Sequence, residues 1–175
     1  MTVLTLPKEL REVFSIGFEP EYNETGESIG VDFEPYEQYE DPEETSDWFR
    51  MWTGNEAVDG SKLRMFGSTG SGDYAGFWLT RPNVMVVEQP VVFLGSEGEH
   101  GVIARDLADL LWIFANGSGP MEALENPGRQ NDANQAFHDI AQRYAANRKR
   151  STAQIVADAQ REFPDFKDMI ASLIR

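Results

Sequence analysis

Residues 63–117 read LRMFGSTGSGDYAGFWLTRPNVMVVEQPVVFLGSEGEHGVIARDLADLLWIFANG, and this stretch decides the fold class. It contains short apolar runs bounded by Gly, Pro, Asn and Ser, a pattern typical of β-strands joined by turns. The predicted strands are Leu63–Phe66, Tyr74–Leu79, Val84–Val87, Val91–Leu94 and Gly101–Ala104. The sequence Arg81-Pro82-Asn83 predicts a turn that pairs the second and third of these strands as a hairpin. Short links between successive strands favour an antiparallel or mixed sheet over β-α-β units.

Helical patterns precede and follow these strands. Before them, Pro7–Ser15 predicts a short helix, and Asp41 predicts the N-cap of a second helix that ends near Gly54. After them, Asp106 predicts the N-cap of a helix from Leu107 to Asn116. Ser118–Pro120 is predicted as a linker, and further helices are predicted at Asp132–Asn147, Thr152–Phe163 and Phe166–Ile174, the last two with Ser151 and Asp165 as their N-caps.

Together these elements predict a single α+β domain over residues 1–175, with a sheet of about five strands and helices packed on one face of it. The helical and strand periodicities predict which side chains are buried. They are Phe77, Val92, Leu94, Leu107, Leu110, Leu111 and Phe114. Residues 18–40 are predicted to form an acidic, irregular segment within the domain, with an edge strand near residues 29–33.

The charge of the chain is acidic and uneven. The formal net charge is −15 and the sequence pI is about 4.4. There is no Lys or Arg between Glu12 and Asp47, whereas basic residues gather late in the chain, at Arg143, Arg148, Lys149 and Arg150. Such a chain repels nucleic acid and anionic lipid and attracts basic partners. The asymmetry is typical of an interaction face, or of a solvated surface beside an arginine-rich helix.

The compartment is predicted from what the sequence lacks. It contains no cysteine, so neither a disulfide nor a thiolate metal site is available. The first residues, MTVLTLPKELREVF, do not have the order of a signal peptide, and no apolar run is long enough to span a bilayer. We therefore expect a cytoplasmic protein without membrane contact.

No motif points convincingly to catalysis, a cofactor or a metal. The glycine-rich loop Gly67–Gly72 lacks the lysine and the following helix of a phosphate-binding loop, so we interpret it as a turn between strands. Glu97, Glu99 and His100 could ligate a divalent metal, but neighbouring side chains rarely converge, and a hairpin turn is the expected alternative. His138 lies beside Asp139 in a predicted helix and is expected to be a surface or half-buried residue.

The sequence Gly26-Glu27-Ser28-Ile29-Gly30 matches the pattern of a nucleophile elbow. That elbow requires a buried strand before the serine and a helix after it. Here an acidic irregular stretch precedes Ser28 and an extended stretch follows it, so we interpret the match as chance. We predict that the protein is not an enzyme and uses no cofactor.

The order of motifs between Leu63 and Gly117 resembles the SUKH superfamily. It consists of a glycine-rich turn, an aromatic strand Tyr74–Leu79, a Pro-Val-Val strand from Pro90, a Gly-Ser-Glu-Gly turn from Gly95, and a leucine-rich helix from Asp106. That superfamily includes the yeast cell-wall synthesis regulator and many bacterial immunity proteins. The resemblance implies an α+β fold and a role in binding proteins, commonly the neutralisation of a toxin domain. Such toxins are often nucleases and therefore basic.

Two functions follow as hypotheses. The first is an immunity-type protein that binds and neutralises a basic, nuclease-type toxin. The alternative is a regulatory scaffold or adaptor without a toxin partner. In either case the acidic segment is the expected partner-binding surface. The sequence leaves the oligomeric state of the protein open. The predicted contact residues are Tyr36, Glu37, Tyr39, Glu40, Asp41, Glu43 and Glu44. The alternative for this segment is that the tyrosines pack onto the sheet and the acids are merely solvated.

Overall fold

A five-stranded antiparallel sheet, with its strands in sequence order, forms the centre of the computed structural model, which describes residues 3–27 and 29–175. The α+β class and the antiparallel sheet predicted from the sequence are confirmed. The strands are β1 (Glu34–Pro35), β2 (Leu63–Ser68), β3 (Tyr74–Trp78), β4 (Val91–Leu94) and β5 (His100–Ala104).

Seven α-helices surround the sheet within the described residues. They are α1 (Lys8–Ile16), α2 (Pro42–Thr53), α3 (Leu107–Ala115), α4 (Pro120–Glu125), α5 (Gln135–Ala145), α6 (Thr152–Glu162) and α7 (Phe166–Leu173). The predicted caps of three helices are present: Asp41 accepts from the backbone N–H of Glu43, Asp106 from that of Asp109, and Ser151 from that of Gln154. Asp165, predicted to cap α7, makes no such side-chain bond.

Helices cover both faces of the sheet, so the prediction of helices on one face is wrong. Side chains of a strand alternate between its two faces, and here both sets are apolar. One set, including Phe77 and Phe93, packs with residues of α1, α3 and α5. The other set, including Val92 and Leu94, packs with residues of α2 and α7. All seven side chains predicted to be buried are at most 4% exposed: Phe77, Val92, Leu94, Leu107, Leu110, Leu111 and Phe114.

The predicted strand Val84–Val87 is also wrong. Residues Val86–Glu88 form a short 3₁₀ turn, and β3 pairs with β4 instead, Tyr74 lying opposite Leu94. The reason is Gln89, which is 3% exposed and whose side-chain oxygen accepts from the backbone N–H groups of Thr80 and Arg81. Its side-chain amide closes the loop by donating to the carbonyl of Arg81. The buried amide thus satisfies backbone groups that a hairpin would otherwise pair.

The edge strand lies slightly later than predicted. Residues 29–33 do not form it; β1 is the dipeptide Glu34–Pro35, which pairs with Gly67 and Ser68 of β2. The glycine at position 67 allows this approach, because a Cβ there would lie 2.2 Å from the ring of Phe33. The C-terminal part of the acidic segment is thereby held against the sheet.

The linker predicted at Ser118–Pro120 ends in a helix that the sequence prediction missed. Pro120 is the first residue of α4, a position that suits proline because the missing N–H would have no helical partner. Glu122 then accepts a hydrogen bond from the backbone N–H of Gly119. None of the helices in the described part of the chain has the length and apolar character needed to cross a membrane.

Candidate protein-binding face

Helix α2 packs on the face of the sheet that carries Val92 and Leu94, and its outer surface is acidic. Its inner side is anchored by Phe49, which is 5% exposed and belongs to the core shared with β2, β4 and α7. Glu43, Asp47 and Met51 follow one another along its outer side at intervals of about one turn. Met51 is 73% exposed. We call the exposed residues Glu43, Glu44, Asp47 and Met51, with the half-buried rings of Trp48 and Trp52, the α2 face.

The tryptophans of the α2 face form part of an ordered aromatic group. The rings of Trp48 and Trp52 are stacked, with centroids 5.6 Å apart, and the ring of Trp48 lies 4.3 Å from that of Tyr74 on β3. Trp52 is fixed further by its indole N–H, which donates to the carbonyl of Gly95 at 2.7 Å. The aromatic side chains are therefore held in place before any partner arrives.

Glu40 places a half-buried carboxylate beside these rings. Thr45 Oγ1 donates to its Oε2 at 2.7 Å. Burial raises the pKa of Glu40, and the nearby acids Glu44 and Asp41 raise it further, whereas the hydroxyl groups of Thr45 and Tyr74 lower it. Glu44 and Asp41, the charged groups with the largest effect on this pKa, are both acidic.

The structure removes Tyr39 from the predicted binding surface. Its side chain is 3% exposed and packs against Phe77 in the core shared with α1, α3 and α5, so it cannot contact a partner in this conformation. Its backbone explains the placement, because the N–H of Tyr39 donates to the carbonyl of Leu4 and that of Glu40 to the carbonyl of Met65. Two successive backbone bonds turn the ring of Tyr39 inwards.

The other predicted contact residues lie at or near the surface. Glu37, Asp41, Glu43 and Glu44 are exposed, and Asp41 also caps α2 through its bond to the N–H of Glu43 at 2.8 Å. Tyr36 is half-buried, and burial raises the pKa of its hydroxyl. Met51, Trp48 and Trp52 were missed as contact candidates, although the apolar Met51 at an outward helical position was a visible signal.

The three arginines among the late basic residues bind acids within the chain. Arg148 and Arg150 donate to Asp109 of α3, whose carboxylate is fully buried, and Arg105 donates to its other oxygen at 2.9 Å. Burial alone would raise the pKa of Asp109, but these guanidinium groups outweigh it and hold the pKa below its usual value. This arrangement makes the cluster a structural link from α3 to the chain before α6. Arg143 in turn pairs with Glu12 at 2.8 Å.

The remaining motifs lie in turns and helices. Residues 69–73 join β2 to β3, with Asp73 accepting from Thr69 Oγ1 and from the N–H of Ser96, so the prediction of a turn there is confirmed. Residues 95–99 join β4 to β5, and His138 is a half-buried residue of α5. Among the described residues, no group of three or more His, Asp or Glu side chains is placed to hold a metal ion. Ser28 lies outside those residues.

Comparisons with known proteins leave the family open. No protein-family model, no curated protein and no solved structure matches the chain. The resemblance to the SUKH superfamily therefore stays a prediction from the order of motifs. The function is therefore inferred from the site itself.

Proposed function

We propose that this protein binds a basic protein partner through the α2 face, as an immunity-type protein that covers the working surface of a toxin. The observation that carries the proposal is the α2 face itself. It combines an exposed methionine, half-buried and ordered tryptophans, and a rim of carboxylates. Aromatic residues and methionine are enriched where proteins bind each other, and rim charges guide the encounter.

The charge distribution supports a basic partner. The stretch from Glu12 to Asp47 contains no Lys or Arg, and Arg148, Arg150 and Arg143, further along the chain, are paired with acids of the same molecule. Glu37, Glu43 and Glu44 are exposed. A surface of one sign concentrates partners of the opposite sign and accelerates their association.

The proposed mode of action is occlusion without chemistry. A basic nuclease-type toxin needs its positive surface to hold nucleic acid, and an acidic protein that covers this surface competes directly with the substrate. The resemblance of residues 63–117 to a superfamily rich in immunity proteins supports this choice of partner. A cytoplasmic location is part of the same proposal.

Co-expression tests the proposal. The candidate toxin for this test is the product of the gene next to that of this protein, here called the neighbouring gene product. It is expressed in cells with the wild-type protein, with Glu44→Lys in the α2 face, or with Glu9→Lys as the matched control. Both glutamates lie in the first turn of an α-helix, Glu44 exposed and Glu9 half-buried, but α1 packs on the opposite face of the sheet. We expect wild type and Glu9→Lys to protect the cells and Glu44→Lys to protect them less.

Two outcomes would contradict the proposal. Equal protection by both variants would place the binding surface elsewhere. Binding of the neighbouring gene product without any protection would contradict the immunity function and favour the scaffold or adaptor.

A further inference from the structure

A cleft of about 470 Å³ opens between the C-terminal ends of α1 and α3 and the N-terminal end of α5. We propose that this cleft binds a short, extended segment of a polypeptide in which arginine alternates with apolar residues. The inference goes beyond the proposed function, because α1, α3 and α5 pack on the face of the sheet opposite to α2. The volume of the cleft lies within the range of about 300–1,000 Å³ that is typical of ligand pockets.

The walls of the cleft come from three stretches of the chain, residues 16–21, 29–31 and 129–134. Its base is formed by Phe114 and Phe137, which are both buried. Phe18 belongs to the first wall, and its ring centroid lies 5.2 Å from the centroids of both of these phenylalanines. The inner end of the cleft is therefore apolar.

Backbone hydrogen bonds hold the walls in place. The N–H groups of Ile29 and Gly30 donate to the carbonyl of Glu21, at 2.8 and 3.3 Å, and so join the first two walls. The N–H of Asn134 donates to the carbonyl of Ala115 at 3.2 Å, which holds the third wall against the end of α3. Since the walls are bonded to one another and to α3, a ligand would meet a cleft that is already formed.

The lining of the cleft is predominantly acidic. Glu19, Glu21 and Asp132 line it and are exposed. Among the described residues that line the cleft, Arg129 is the one with a basic side chain, and it is half-buried. The acids lie on two different walls, so they can attract more than one cation of the same bound segment.

Exposed apolar side chains accompany these acids. Ile16 and Ile29 line the cleft and are 46% and 43% exposed. The side chain of arginine has an apolar stem that packs on such residues and a guanidinium that binds carboxylates in a bidentate manner. Arginine therefore matches the lining of the cleft better than a neutral residue does, and an apolar residue beside it would cover the isoleucines.

The experiment uses a defined peptide as its probe. Acetyl-Leu-Arg-Leu-Arg-Gly-amide is titrated into the whole ¹⁵N-labelled chain, and the backbone amide resonances of Gly17, Gly30 and Gly117, which line the cleft, are followed. Gly54, at the C-terminal end of α2, reports on binding near the α2 face. We expect saturable shifts of the three cleft glycines and none of Gly54. The peptide with citrulline in place of arginine keeps the shape without the charge and should bind about tenfold more weakly.

One pair of variants tests the charge of the cleft. The double variant Glu19→Gln/Glu21→Gln removes two carboxylates from the lining, so binding of the arginine peptide should weaken about tenfold. The matched control Glu24→Gln/Glu37→Gln removes the same charge from exposed positions outside the cleft and should leave the affinity nearly unchanged at physiological salt.

A second pair tests the space. Ala133→Trp adds a large ring to the third wall and should abolish the shifts, whereas Ala136→Trp, at an exposed position of α5 outside the cleft, should not. No saturable shift of the cleft glycines, equal affinities for the arginine and citrulline peptides, or an unchanged affinity in Ala133→Trp would overturn the inference. The co-expression test varies the α2 face and not the cleft, so it decides the proposed function separately.

Discussion

Nη2 of Arg150 lies 2.7 Å from Oδ1 of Asp109, whose side chain is 0% exposed. Arg148 reaches the same oxygen at 2.8 Å, and Arg105 reaches the other at 2.9 Å. The cluster joins the first turn of α3 to the chain before α6, and it uses basic residues that the sequence alone left available for a partner. The acidic character of the remaining surface follows in part from this internal pairing.

Replacing Asp109 by Asn should destabilise the protein strongly. The change leaves three guanidinium groups around a buried position without their shared counter-charge, and breaking such a buried pair costs about 3–5 kcal/mol. The free energy of unfolding from urea titrations at pH 7 measures the loss. Asp168→Asn, at an exposed position of α7, is the control and should change stability by no more than about 0.5 kcal/mol.

The difference in stability between wild type and Asp109→Asn should depend on pH, and its direction follows from the pKa of Asp109. Because the pKa of Asp109 is lowered in the folded state, its contribution to stability is present above the ordinary value of 3.8 and is lost as pH falls through the lowered value. The difference between wild type and Asp109→Asn should therefore shrink below pH 4. A difference that stays constant down to pH 2 would contradict this role for Asp109.

Glu122 should show the opposite pH dependence. One of its oxygens accepts from the N–H of Asp32 at 3.0 Å and the other from the N–H of Gly119 at 3.1 Å, which ties the acidic segment to α4. Glu122→Gln places an NH₂ group against one of these donors, so we expect a loss of about 1–3 kcal/mol. Glu97→Gln in the exposed β4–β5 turn is the control.

The sign follows from the pKa of Glu122, which burial raises and which the charge of Asp32 raises further, against the lowering by the backbone bonds. A raised carboxyl pKa means that the contribution of Glu122 is fully present below 4.5 and decreases as pH rises through the raised value. The advantage of wild type over Glu122→Gln should thus be larger at about pH 4 than at about pH 7. An advantage that grows with pH would be the contrary result.

Tyr39→Phe should leave the protein as stable as wild type or increase its stability by about 1 kcal/mol. Among the residues that the structure describes, the buried hydroxyl of Tyr39 has no hydrogen-bond partner, and burial raises its pKa well above the usual range. Removing the hydroxyl relieves a desolvation penalty and leaves the ring in the core. Tyr39→Ala, in contrast, should cost about 3–5 kcal/mol as a large cavity forms. A clear loss in Tyr39→Phe, measured by urea unfolding, would show that the hydroxyl is bonded in solution.

Patterns within single elements made much of the fold predictable. The caps Asp106 and Ser151 and the stripe from Leu107 to Phe114 mark helices through local chemistry, and the structure contains them. The 3₁₀ turn at Val86–Glu88 was not predictable in this way, because its loop depends on the buried side chain of Gln89, and Val84–Val87 has the composition of a strand. The local amino-acid composition does not reveal hydrogen bonds that depend on tertiary structure.

The candidate site was predicted only in part for the same reason. The acids Glu37, Glu43 and Glu44 are exposed, as runs of charge usually are. Tyr39 is buried, whereas the half-buried Tyr36 lies three residues before it, and no property of the two tyrosines themselves separates them. The difference comes from the backbone bonds of residues 39 and 40 to Leu4 and Met65, which are distant in sequence. The grouping of Trp48 with Tyr74 also requires the packing of α2 on β3.

The most direct test of the α2 face is the rate at which it associates with the neighbouring gene product, used as an inactive variant in stopped-flow measurements. If carboxylates steer a basic partner, the association rate of wild type should fall at least about tenfold between about 0.05 and 0.5 M salt, while dissociation changes much less. Glu44→Lys should associate more slowly than wild type at low salt, and Glu9→Lys should match wild type closely. An association rate that is indifferent to salt, or equal rates for the two lysine variants, would contradict the central claim.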